Sequence, residues 1–301
     1  MTTALGPVSA EGRERLIGHY SGAVVPWLDA VPELLATAAG RWHLELHGYH
    51  DAGHASVLAT ATIADGQVMV KAWFDPDRYW RETHALKRWH GGPVPRLLHA
   101  ADDLHVATIT LVGNRPGGHP RPPDEQERVA TALHSLHADP FSSREDIPAL
   151  ATYLAEEIFP RINRRKRRIH NALTAEWIKA GWAALPNPTG EIQAPAVLLH
   201  ADLYKENVPF DEAGQPVFID PLPMIGDPAF DWAFWVVYYD LTRDPLSRLR
   251  LAVTHSGIPA DVLRPWCLML GLDGLLYYDE TGDTRMKRMG EVLTALTRDA
   301  M

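Results

Sequence analysis

The chain has 301 residues, 46% of them hydrophobic and 22% charged, with a formal net charge of −9 at pH 7. That length allows one or two domains with a core of ordinary size, and the acidic balance argues against nucleic-acid binding by the whole chain. A single cysteine, Cys267, excludes an intrachain disulfide framework and cysteine-based zinc sites. No apolar run approaches the roughly 20 residues that cross a bilayer, and Met1 to Pro7 lacks the pattern of a secretory leader, so a cytoplasmic protein without a membrane partner is expected.

Apolar residues at helical spacing (Trp27, Leu28, Val31, Leu34, Leu35) predict a helix over Pro26 to Ala39. Trp42 to Gly48 alternates as a strand does. Ala55 to Ile63 and Gln67 to Phe74 read as two further strands, and the Asp65-Gly66 turn joins them as an antiparallel hairpin. Asp75-Pro76 starts a helix that runs to about His90 and stops at Gly91-Gly92-Pro93. Pro95 to Ala101 and His105 to Val112 complete the strands. The breaker-rich stretch from Gly113 to Gly118 is expected to connect two lobes.

Beyond it the signal is mainly helical: Asp124 to His137, Ile147 to Leu173, Ala175 to Leu185, and again from Asp231 to Asp299. Two short strands interrupt it, Ala196 to Leu199 and Val217 to Ile219. The expected architecture is α+β and bilobal: a small antiparallel-sheet lobe over residues 1–112, a hinge over 113–118 and a mainly helical lobe over 119–301. A nucleotide between the lobes suits that arrangement. Arg161, Arg164, Arg165, Lys166, Arg167 and Arg168 crowd one helix, and read first as a solvated basic face, with a phosphate-meeting surface as the alternative.

The chemistry concentrates in His200-Ala201-Asp202-Leu203-Tyr204-Lys205-Glu206-Asn207 and in Phe218-Ile219-Asp220-Pro221. ATP-dependent phosphoryl transfer needs a carboxylate to orient the attacking hydroxyl, and an amide oxygen and a second carboxylate to hold magnesium. Asp202 suits the first role, and Asn207 with Asp220 the second; alone, each reads equally as a turn or cap residue. His200 is expected to support the loop, and Asp231 to brace it or cap the next helix. Lys71, emerging from an apolar strand, can reach the α- and β-phosphates with Glu82 fixing it, unless both are surface residues. No P-loop pattern occurs, and the fifteen histidines show no His-Glu-x-x-His spacing; Leu133-His134-Ser135-Leu136-His137 reads as a helix with histidines at its edges.

With His200-Ala201-Asp202, Asn207, Ile219-Asp220-Pro221 and Gly226-Asp227-Pro228-Ala229-Phe230-Asp231, the chain resembles the aminoglycoside phosphotransferase superfamily, whose fold is protein-kinase-like. The stretch from Ile219 to Asp231 looks most like the streptomycin and hydroxyurea kinases of antibiotic-producing bacteria. Ala201 stands where family members commonly carry Gly. The resemblance implies an ATP- and Mg2+-dependent kinase, with GTP the alternative nucleotide, that phosphorylates a hydroxyl of a cationic antibiotic and so confers resistance. It implies Asp202 as base, Asn207 and Asp220 as magnesium ligands, Lys71 and Glu82 as the phosphate anchor, and the adenine beside Val112 and Gly113. The same machinery serves a metabolic kinase for an amino sugar, choline, homoserine or a fructosamine, and a pseudokinase scaffold is the non-catalytic alternative.

Overall fold

The computed structural model describes residues 5–50, 53, 55–64, 66–113, 118–138, 147–167 and 195–298. The chain divides into two compact units, Met1–Pro120 with Pro209–Ala213, and Arg121–Val208 with Gly214–Met301. No described helix is long and apolar enough to cross a membrane.

The first unit opens with helices α1 (Ala10–Tyr20) and α2 (Val25–Trp42). Ser9 caps α1 by accepting from the Gly12 amide. In α2 the buried side chains Leu28, Val31, Leu35, Ala38 and Ala39 form one stripe, and His43 ends the helix in the left-handed region. A five-stranded antiparallel sheet follows: β1 (Glu45–His50), β2 (Ser56–Ile63), β3 (Gly66–Trp73), β4 (Leu97–Ala101) and β5 (Val106–Thr110), in the order β1-β2-β3-β5-β4.

The two faces of β3 do different things. Val68, Val70 and Ala72 join the core with the α2 stripe, while Met69 packs with Leu86 and Trp73 with Tyr79 of α3 (Pro76–Arg88). Lys71 therefore lies on the second face, between Met69 and Trp73. Asp75 caps α3, its carboxylate accepting from the Asp77 and Arg78 amides. Of the expected hairpin turn, Asp65 lies outside the described residues, as do residues 114–117 of the expected hinge. At the ends of that stretch Gly113 and Gly118 take φ of 75° and 71°. A Cβ on Gly118 would stand 2.5 Å from the Phe210 carbonyl oxygen, so only glycine fits.

The second unit contains α4 (Glu125–Leu136), then a continuous helical stretch in which α5 (Leu150–Tyr153) passes through a π-helical turn, Leu154–Ile158, into α6 (Phe159–Lys166). The short strands β6 (Val197–Leu199) and β7 (Met224–Gly226) pair antiparallel. The remaining helices are α7 (Ala229–Tyr238), α8 (Pro245–Ser256), α9 (Ala260–Thr281) and α10 (Arg285–Arg298). Every residue of α7 is buried, as its unbroken apolar run of Trp, Phe and Val requires.

Two expectations change. Val217 to Ile219 forms no strand: the Ile219 amide donates to the Asn207 carbonyl (2.9 Å), Asp220 then turns the chain at φ 54°, and Pro221 and Pro223 lack amide protons. Nor is the basic run a uniformly solvated face. Arg161 and Arg165 both reach the buried carboxylate of Asp273 on α9, Arg161 at 2.5 Å, and Arg165 also pairs with Glu280 at 2.8 Å. Arg164 and Arg167 are exposed, and Arg168 and the helix expected over 175–185 lie outside the described residues.

Candidate active site

Lys71 and Glu82 of the first unit form a buried ion pair, Nζ to Oε1 at 2.5 Å, with both side chains 2% exposed. The Trp73 indole N–H donates to the other Glu82 oxygen at 2.9 Å, and Lys71 Nζ sits 5.0 Å from the Trp73 ring centroid. Breaking such a pair on one side strands a charge away from water, so the geometry is strongly held. The reading of these residues as surface charges is therefore corrected. Val112 and Gly113 follow β5, both half-buried.

In the second unit β6 delivers His200 directly into the loop that carries Asp202. The loop's neck is fixed by one carboxylate. Asp231, wholly buried in the first turn of α7, accepts the His200 amide at Oδ2 and the Ala201 amide at Oδ1, both at 2.8 Å. His137, at the end of α4, reaches Asp231 Oδ2 at 2.9 Å; since a carboxylate only accepts, its Nε2 carries the proton. His200 Nε2 donates to the Ile219 carbonyl at 3.0 Å, and the Leu222 amide donates back to the His200 carbonyl at 2.8 Å. The His200 ring is inaccessible, and burial pushes its pKa down to about 4 even though Asp231 and the Ile219 carbonyl favour the charged form. The buried, neutral imidazole ties two chain segments together.

Asp202 and Asn207 meet directly. Asn207 Nδ2 donates to the Asp202 carbonyl at 2.9 Å and to its carboxylate oxygen Oδ2 at 2.8 Å. That uses the amide nitrogen and leaves the amide oxygen, the harder donor, for another partner. The Asn207 carbonyl accepts from Ile219, so the segment that leads into Asp220 is bonded to the residue that pairs with Asp202. Ala201 and Asp220 both adopt left-handed backbone, φ 58° and 54°. Strain at two non-glycine residues flanking a cluster of oxygen donors is typical of a functional loop.

Among the described residues no group of three or more His, Cys, Asp or Glu is arranged to hold a metal alone. An amide oxygen on Asn207 and a carboxylate on Asp220 are donors of the type that magnesium takes when phosphate and water complete its shell.

Next to this loop the second unit gathers aromatic side chains. Tyr204 packs edge-on to Phe234 and against Tyr238, with ring centroids 5.0 and 5.2 Å apart. Burial raises the Tyr204 phenol far above its ordinary range, with Asp202 and Tyr278 adding to the effect. Asp240 accepts Lys205 Nζ at 2.8 Å. Burial opposes its charge, yet hydrogen bonds from Lys205 and Thr242 take its carboxyl down to about 2. Asp227 accepts the Ala229 amide (2.9 Å) where α7 begins. The bracing role of His137 had no distinguishing signal beyond its position at a helix edge.

The pattern of the phosphotransferase enzyme family APH matches residues 75–266. The chain belongs to that family. Streptomycin 6-kinase of Streptomyces griseus is 26% identical over 211 residues, a match that covers 68% of this chain and 66%, just under two thirds, of that enzyme. Streptomycin 6-kinase of Streptomyces glaucescens is 25% identical over 283 residues, covering 86% of this chain and 87% of that one. Among solved structures, a protein described as a fructosamine-3-kinase from Thermobifida fusca YX-ER1 superposes with a TM-score of 0.59 at 20% identity over 87% of this chain and 98% of that one. The aminoglycoside phosphotransferase APH(4)-Ia, in a ternary complex with ADP and hygromycin B, gives 0.60 at 14% over 87% and 97%. Both likenesses concern the fold, which is α+β and protein-kinase-like.

Proposed function

We propose that this chain is an ATP- and Mg2+-dependent O-phosphotransferase that phosphorylates a hydroxyl of a small-molecule antibiotic, of the aminoglycoside class that includes streptomycin. The observation that carries the reading is the joined Asp202–Asn207 pair on a loop whose neck hangs from the buried Asp231. Asp202 accepts the acceptor hydroxyl's hydrogen bond and aims its oxygen at the γ-phosphorus. Asn207 and Asp220 would hold magnesium, which would supply positive charge to offset that of the phosphates. Lys71, kept straight by Glu82, engages the α- and β-phosphates, with the adenine beside Val112 and Gly113. The family and the streptomycin 6-kinase relatives support phosphoryl transfer to such an acceptor.

A metabolic acceptor is the second reading, and one feature favours it. Of the acids Asp240, Asp273, Asp279 and Glu280, which could meet a polycation, three are engaged: Asp240 by Lys205, Asp273 by Arg161 and Glu280 by Arg165.

The test is ATP consumption with purified protein against aminoglycosides, amino sugars, choline, homoserine and fructosamines. Asp202→Asn keeps size and shape but loses the base. Its turnover is expected to fall by about 10²–10⁴-fold with nucleotide affinity retained. Turnover equal to the parent's would remove Asp202 from its role.

A further inference from the structure

Arg121, the first residue of the second unit, makes contacts that the chemistry so far does not use. Its Nη2 donates to two main-chain carbonyls, Lys205 at 2.7 Å and Val208 at 3.0 Å. Those carbonyls bracket Glu206 and Asn207, and Lys205–Asn207 is a single 3-10 turn. The guanidinium is itself held from the other side. Nη1 donates to the Tyr239 hydroxyl at 2.6 Å and lies 3.6 Å from the buried Glu125 carboxylate, and Arg243 reaches the other Glu125 oxygen at 3.2 Å. The guanidinium carbon also lies 5.7 Å from the Tyr239 ring centroid.

Arg121 holds the turn by the two main-chain carbonyls that flank its centre. Three residues of 3-10 helix are a weak element, and Glu206 between them is exposed. Lys205 is anchored on Asp240, the Asn207 side chain on Asp202 and the Asn207 carbonyl on the Ile219 amide; the carbonyls on either side, Lys205 and Val208, are anchored by Arg121. A fork with fixed geometry suits this, because one planar group reaches two carbonyls and a phenol at once.

We infer that Arg121 is a positioning residue for metal binding: it sets the backbone of Asn207, and through it the amide oxygen that joins Asp220 around magnesium. It acts through Asn207 and touches neither nucleotide nor acceptor. The inference rests on the phosphotransferase reading, and predicts a defect in metal affinity rather than in acceptor binding.

Arg121→Lys keeps the charge and removes the fork; Tyr239→Phe keeps the ring and removes one partner of the fork. Mn2+ binding is titrated by electron paramagnetic resonance in the presence of ATP, for the parent and both variants. Arg121→Lys is expected to weaken Mn2+ about tenfold or more, as loss of an outer support commonly does. Tyr239→Phe is expected to weaken it about two- to threefold. The acceptor KM should stay unchanged, and excess Mg2+ should restore turnover in Arg121→Lys. A folded Arg121→Lys protein with the parent's Mn2+ affinity overturns the inference and leaves the phosphotransferase reading standing. If Arg121→Lys does not fold, parental affinity in Tyr239→Phe overturns it. A parent protein that binds no metal–nucleotide overturns both.

Discussion

Two residues beside the candidate base hold backbone that L-amino acids avoid. Ala201 (φ 58°) stands between His200 and Asp202, and Asp220 (φ 54°) ends the segment that returns to Asn207. Left-handed backbone costs an L-residue about 1–2 kcal/mol, and the loop's other bonds hold it there. The Ala201 amide is spent on Asp231, which requires that turn of the chain. Glycine removes the steric cost at 201 and adds about 0.5–1 kcal/mol of unfolded-chain entropy. Ala201→Gly is therefore expected to raise stability by up to about 1 kcal/mol, read as a higher urea midpoint; a lower midpoint would show that Ala201 is not strained. The absence of glycine at 201 was visible in the sequence only through the family resemblance. Its conformational meaning needed the Asp231 bonds, made by a residue 30 positions away.

At the scale of elements, the packing of α9 depends on a position without a side chain, Gly274. A Cβ on Gly274 would meet the Tyr238 hydroxyl at 2.6 Å, its ring at 2.9 Å and Met289 at 3.0 Å. That hydroxyl is committed to the Leu270 carbonyl at 2.8 Å, so the ring has little freedom to withdraw. In an isolated helix Gly→Ala gains about 1 kcal/mol. Here overpacking, typically about 1–3 kcal/mol, opposes that gain and is expected to win. Gly274→Ala should lower the denaturation midpoint, with the thermal shift as the readout. Stabilisation would mean that α7 and α9 have slack between them. Helices such as α2, α3 and α4 were legible from apolar spacing and caps, because short-range physics decides them. The failed strand at Val217–Ile219 shows where that ends: an apolar run looks the same whether a ladder forms or the chain bends at Asp220. The Arg161–Asp273–Arg165 network was illegible for a related reason, since Asp273 lies more than 100 positions from either arginine.

For the whole molecule, much of the candidate site was readable because its oxygen donors crowd into two short segments, and the buried Lys71–Glu82 pair because it spans one strand and the next helix. Of the supports, His200 and Asp231 were expected from their place in the motif, whereas His137 and Arg121 were not, since they act across distant parts of the chain. Those supports tie stability to pH. His200 is fully buried and neutral, with its pKa held down at about 4, against an ordinary unfolded value of about 6.5. Between those values the unfolded chain binds a proton that the folded chain refuses, so stability rises with pH. The contribution is complete above about pH 6.5 and is lost as pH falls toward 4, a change on the order of 3 kcal/mol. The paired Asp240, with a carboxyl near 2, adds a loss only below the ordinary carboxylate range. Falling pH also relieves repulsion in a chain of net charge −9, which works the other way. A variant separates the two: His200→Gln leaves the charge balance almost intact and removes the titrating group. Chemical denaturation from pH 7 to 4 should show the parent losing stability more steeply than His200→Gln, by up to about 1.4 kcal/mol per pH unit, the slope of one proton. Parallel slopes would mean that the imidazole takes up its proton in the folded state as readily as in the unfolded one, and that the bond to Ile219 does not require a neutral ring.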